Sequence, residues 1–124
     1  MKLRKVIPAL RIFDEAKARE FYLDFLGFKV DFEHRFGQNF PLFMQVSRDE
    51  CILHLSEHHG GASPGAGIVI QIEGIRDLHA ELTAKNYRFA HPGLETKQWG
   101  ALEMTVVDPF ANNLTFSEKQ AAAR

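Results

Sequence analysis

The stretch Trp99-Gly100-Ala101-Leu102-Glu103-Met104-Thr105-Val106-Val107-Asp108-Pro109-Phe110-Ala111-Asn112-Asn113-Leu114-Thr115-Phe116 decides the fold. It reads as strand, turn, strand. Glu103 to Val107 is rich in Thr and Val, which fit a pleated, half-buried surface. Asp108-Pro109 opens a turn. Asn112-Asn113 closes it, because Asn tolerates left-handed backbone. Leu114 to Phe116 then resumes the strand. The only tryptophan of the chain opens this hairpin.

Upstream of it lie a strand at Gly67 to Ile72 and a helix at Ile75 to Lys85, with Leu78 and Leu82 spaced i, i+4. Asn86 can cap that helix, and Tyr87 to His91 is expected to be a further strand. The first half follows the same plan. Val6 to Phe13 is a short apolar strand whose Pro8 cannot donate to a ladder, so it is an edge or irregular there. Asp14 is a good N-cap for a helix over Glu15 to Leu26, with Ala16, Phe21, Tyr22, Phe25 and Leu26 on one stripe. Gly27 ends it. Phe28 to Phe36, Phe40 to Ser47 and Cys51 to Ser56 complete the half as strands, the last two joined by the polar turn Arg48-Asp49-Glu50.

Each half therefore reads β-α-β-β-β over about 55 residues, a duplication of architecture without obvious sequence identity. The expected fold class is α+β: two tandem βαβββ modules forming a curved mixed sheet with a concave cleft. One domain spans 1–124, with module 1 at about 1–58, a Gly/Pro/Ser-containing linker at about 57–66 and module 2 at about 67–118. The tail from Lys119 to Arg124 is expected to fray.

Composition narrows the function classes. Eleven of 14 aromatics are Phe, which lacks a polar handle and must fill a core, an interface or a pocket. A net charge of −1 lacks the basic footprint of a nucleic-acid binder. No apolar run approaches the roughly 18 residues of a membrane span, and no signal-peptide core is present, so a cytoplasmic protein is expected. The lone cysteine, Cys51, sits in an apolar run and reads as a buried structural thiol. No nucleophilic triad or phosphate-binding loop is visible.

The opening Val6-Ile7-Pro8-Ala9-Leu10-Arg11-Ile12-Phe13-Asp14, followed by Phe21-Tyr22 and Phe25-Leu26-Gly27-Phe28, resembles that of the vicinal-oxygen-chelate superfamily. That superfamily includes glyoxalase I, extradiol dioxygenases, and fosfomycin and bleomycin resistance proteins. The Asp108-Pro109-x-x-Asn112 turn matches too, and the likeness covers nearly the whole chain. Trp99-Gly100 and Pro8 resemble bleomycin resistance proteins in particular. There the proline marks an N-terminal strand exchanged between two subunits, and the resemblance implies a homodimer with two ligand clefts.

The metal enzymes of this superfamily carry one ligand on each of four strands. Aligned here, those positions fall at Ile7 or Pro8, His54, Gly67 and Thr115. Only His54 is a strong donor, and catalytic sites generally use three protein ligands. The expectation is no cofactor, with His54 the only retained candidate for a divalent metal. Alternation along its strand places His54 on the cleft side near Thr115. It reads either as a neutral pocket-wall histidine or as a direct contact to the ligand. The adjacent His58 and His59 lie beside a Gly-rich loop and read as solvated, while His34 reads as a cleft edge.

Trp99 sits at a loop-to-strand junction and reads as an aromatic plate of the cleft or as structural packing. The resemblance implies a second plate at Phe36, the two rings taking a planar drug between them. Phe43 is a further wall. Glu103 either attracts a cationic ligand group or faces solvent. The expected function is a non-catalytic binder that sequesters a bleomycin-like drug or another metabolite. With 15 basic against 16 acidic residues, charge alone does not select a cationic ligand. The alternatives are a metal-dependent lyase, isomerase or dioxygenase of the glyoxalase type, and a metal-free interaction module.

Overall fold

The computed structural model describes residues 1–121, so the end of the expected frayed tail, residues 122–124, lies outside the described residues. Asp14 starts the first helix through its side chain, Oδ1 accepting the Lys17 N–H at 2.9 Å. The helix α1 (Glu15–Arg19) then widens into a π-helical stretch, Glu20–Phe25. The Leu26 N–H reaches back five residues to Phe21 O, and the Phe28 N–H six residues to Tyr22 O. Gly27, at φ +75°, makes that reversal possible. The buried face is Ala18, Phe21, Tyr22, Phe25 and Leu26. Ala16, expected on this stripe, is exposed, because residues two apart on a helix do not share a face.

The strands of the first module are β1 (Ala9–Arg11), β2 (Lys29–His34), β3 (Phe43–Arg48) and β4 (Cys51–Ser56), in sheet order β1-β4-β3-β2. β1 runs parallel to β4 and the other pairs are antiparallel. β1 is shorter than the expected Val6 to Phe13. Pro8 has no N–H to pair, although its carbonyl accepts the His54 N–H at 3.0 Å. Arg48 pairs with Cys51 around a two-residue tip, Asp49-Glu50, with Asp49 at φ +52°.

The second module holds β5 (Gly67–Gln71), α2 (Ile75–Lys85), β6 (Glu95–Thr96), β7 (Ala101–Val107) and β8 (Asn113–Lys119), in sheet order β5-β8-β7-β6. α2 has the bounds its periodicity gives, and Asn86 ends it in the left-handed region. The strand expected at Tyr87 to His91 does not form; the short β6 takes its place. Tyr87 is committed to the other module, stacked on Phe25 at 4.7 Å with its hydroxyl donating to Glu20 Oε1. Pro92 then removes a ladder donor just beyond. At the β7–β8 turn, Ala111 takes the left-handed backbone at φ +66°, not Asn112 or Asn113. Asn112 is instead fully buried, and its amide bonds Arg11 O, Ala66 N and Asp108.

Each module thus contributes its own four-stranded sheet, and one hydrophobic cluster draws on both. Arg48 bridges Leu26 O and Glu81, and Lys85 Nζ donates to Asp24 O and Phe25 O. Tyr22 OH donates to Asp108 Oδ2 at 2.6 Å, both residues buried. Burial, with the Asp108 charge beside it, pushes the Tyr22 hydroxyl far above its ordinary pKa, so it stays a donor. No helix among the described residues is long and apolar enough to cross a membrane.

Gly74 offers α2 no capping side chain, so Glu118 of β8 supplies one. Its two oxygens accept the Gly74 and Ile75 N–H groups at 3.0 Å each. Those backbone bonds hold the Glu118 carboxyl below its usual range.

Two outcomes follow. Tyr22→Phe leaves Asp108 one donor short and costs about 1.5–3 kcal/mol in urea unfolding, the range for a hydrogen bond to a charged group; a loss within experimental error of zero would show the contact is not load-carrying. A carboxyl lowered in the folded state stabilises above its unfolded pKa of about 4.3 and loses that contribution as pH falls through its folded value. Hydrogen-exchange protection of the Gly74 and Ile75 amides should therefore fall at acid pH and already be low at neutral pH in Glu118→Gln.

Candidate functional site

The helices cover one side of each sheet, and the other side stays open. On the first sheet, cross-strand register groups the open-face residues. His54 lies between Ala9 of β1 and Gln45 of β3, Phe43 opposite Ser56, and Phe32 opposite Gln45. The β2 register slips between Val30 and Phe32. Val30 stays opposite Val46 and packs on the core, whereas Phe32 and Asp31 both come to the open face. A bulge re-aims side chains in this way.

The chemistry of that face is an aromatic wall with a polar row through it. The His54 ring lies 4.9 Å from Phe43 and 6.5 Å from Phe32, each nearly edge-on. His54 Nε2 is 2.9 Å from Gln45 Oε1, Gln45 Nε2 is 3.0 Å from Asp31 Oδ2, and Ser47 Oγ donates to Asp31 Oδ1. Arg11, two residues beyond Ala9 on the same side of β1, lies 4.5 Å over the Phe13 ring with a buried, unpartnered Nε.

On the second sheet, Glu103 stands opposite Ser117 and Thr105 opposite Thr115. Glu103 Oε2 accepts from Ser117 Oγ at 2.9 Å and from Trp99 Nε1 at 3.3 Å. Trp99 sits in the tight turn between β6 and β7, closed by Lys97 N–H to Ala101 O, and is 70% exposed. The Lys97 ammonium is 5.7 Å from its ring centroid, so the plate already attracts a cation.

The expected site residues therefore fall into two groups. Phe43 and His54 meet on the first sheet; Trp99 and Glu103 meet on the second, where Thr115 bonds Thr105 at 2.9 Å. His54 and Thr115 belong to different sheets. Phe36 lies apart, 74% exposed in the loop after β2, with the His34 and His58 rings edge-on to it at 4.8 and 6.1 Å. Asp31, Phe32, Gln45 and Ser117 were not anticipated. The alternation of Phe43-Met44-Gln45-Val46-Ser47 could have found Gln45, but nothing in the sequence marks the bulge that delivers Asp31 and Phe32.

The side chains at the four metal positions do not fit a metal centre within one copy. Ile7, Pro8 and Gly67 offer no donor, Thr115 is tied to Thr105, and His54 Nε2 is engaged by Gln45. Among the described residues, no three His, Cys, Asp or Glu side chains gather into a metal-binding group. A cavity of about 710 Å³ lies on the core side instead, lined by Leu26, Phe28, Arg48, Cys51, Ile70 and Asp77 among others. Burial raises the pKa of the Cys51 thiol there.

The sequence model of a family described as glyoxalase superfamily protein matches residues 1–123. No curated protein matches by sequence. A solved structure of a bleomycin-binding protein complexed with bleomycin is similar at a TM-score of 0.72 and 18% identity, over 95% of this chain and 100% of that one. The bleomycin resistance determinant encoded on transposon Tn5 gives 0.72 and 17%, over 96% and 100%. A glyoxalase-related enzyme from Clostridium phytofermentans gives 0.72 and 22%, over 96% and 97%. At these identities the likeness is one of fold.

Proposed function

Because the chain belongs to the glyoxalase superfamily, we propose that it is a non-catalytic binding protein that sequesters a planar, cationic molecule of the bleomycin type in clefts between two copies. The observation that carries this reading is Trp99: an exposed indole with a carboxylate, Glu103, at its edge and a lysine ammonium over its face. A flat cationic ligand would replace Lys97 on that plate and meet Glu103. The donor set at the metal positions supports binding over metal-assisted chemistry.

The homodimer is part of the proposal. Within one chain Trp99 and the Phe43–His54 wall lie on separate sheets, and a second copy would set one open face against the other. Residues 1–7 precede β1 with Met1, Leu3 and Val6 exposed, apolar side chains that an exchanged N-terminal arm would bury on a partner. A cytoplasmic place of action and a role in antibiotic resistance complete the reading.

Sedimentation should show a dimer, weakened when residues 1–7 are removed. Calorimetric titration of that dimer with metal-free bleomycin should give one drug per subunit and quench tryptophan fluorescence. Trp99→Ala should weaken binding roughly thirtyfold, about 2 kcal/mol, as expected for a central aromatic contact. A folded dimer that gives neither heat nor quenching would remove the drug-sequestration reading.

A further inference from the structure

The polar row on the open face of the first sheet has proton positions that follow from chemistry alone. Asp31 takes Gln45 Nε2 on one oxygen and Ser47 Oγ on the other, with Lys29 Nζ 4.0 Å away. The Gln45 bond first, then the Ser47 bond and the lysine charge, hold this carboxyl below its usual range. An ionised carboxylate can only accept. Gln45 must therefore turn its NH2 to Asp31 and its carbonyl oxygen to His54. That carbonyl also only accepts, so its 2.9 Å partner, His54 Nε2, must carry the proton.

We propose that Asp31 and Gln45 fix His54 as the Nε2–H tautomer, leaving its Nδ1 as a bare lone pair that receives an N–H or O–H donor from the cleft ligand. Nδ1 has no hydrogen-bond partner among the described residues. It is not a buried orphan either, since Arg11 Nε is the one buried, unpartnered side-chain nitrogen or oxygen found among them. Phe43 and Phe32 flank the ring, so the lone pair is a directional polar feature in an aromatic wall. Charged and titratable groups on this face include Asp31, Lys29 and His34 of β2 and Arg11 of β1.

The wall thus selects amine, amide or hydroxyl hydrogens over a carboxylate or carbonyl edge while the imidazole is neutral. Asp31 and Gln45 are positioning residues that act through His54. The ligand half of the proposal rests on the binding function above; the tautomer does not.

Nuclear magnetic resonance of histidine-labelled protein reads the tautomer without any ligand. The spectra are recorded at about pH 9, above the ordinary histidine pKa of about 6.5. Wild-type His54 should be a single Nε2–H tautomer. Asp31→Asn frees Gln45 to present either end and should give a mixture of both tautomers. Gln45→Leu removes the acceptor and should do the same, with circular dichroism reporting that each variant folds. A wild-type proton on Nδ1, or an unchanged single tautomer in both folded variants, overturns the proposal. With metal-free bleomycin as the probe, His54→Phe should weaken binding about fivefold, the worth of one hydrogen bond; an unchanged affinity also overturns it. If bleomycin does not bind wild type, the sequestration reading fails and the tautomer measurement alone decides this proposal.

Discussion

A single buried carboxylate holds the two modules in register. Asp108 accepts from Tyr22 OH, from the Asn112 amide and from the backbone N–H groups of Phe110 and Asn112, at 2.6–2.9 Å. Asn112 in turn donates to Arg11 O and accepts from Ala66 N. The β7–β8 turn is thereby tied to the first helix, to β1 and to the chain entering β5. A buried charge of this kind is tolerated only when its lone pairs are filled, so each donor is under constraint. The same demand explains why Ala111, not an asparagine, takes the left-handed position: Asn112 is held by its side-chain bonds.

With that hub in place, apolar side chains from both modules share one core, and the helices close one side of each sheet. The other sides keep half-buried and exposed residues, with Phe32 48% exposed among them. They carry Phe32, Phe43 and His54 on one sheet, and Glu103 and Thr115 on the other, with Trp99 at the turn beside Glu103. The proposed binding surface is a consequence of where the core is. The sequence match shows the family, and a fold shared with a bleomycin-binding protein and a glyoxalase-related enzyme does not by itself fix the function.

Much of this was legible in the chain. The Asp14 cap, the Gly27 stop, the bounds of α2 and β4 and the two-module plan all rest on local rules of capping, periodicity and turn chemistry. Local rules failed where a side chain was recruited from afar. Tyr87 reads as the start of a strand, yet it stacks on Phe25, and the second strand of its module lies at Glu95–Thr96. The N-terminus of α2 shows no capping side chain because its cap, Glu118, lies 44 residues away.

For the site, alternation along β4 separated His54 from Leu53 and Leu55, and those two leucines are buried while His54 lies on the other face. Trp99 and Glu103 had two readings each from the sequence, because a residue's exposure at a turn or on a strand face depends on what packs there. The sequence could not determine which residues meet. Phe28, Val30, Phe32, His34 and Phe36 share one parity, and simple alternation would send them all to one side. The bulge at Asp31 splits them, keeping Val30 on the core and turning Phe32 outward beside His54. The placement of His54 and Thr115 in different sheets, and the row from Asp31 through Gln45 to His54, are likewise tertiary. Pairing register between distant strands is set by packing over the whole sheet, and no local pattern encodes it.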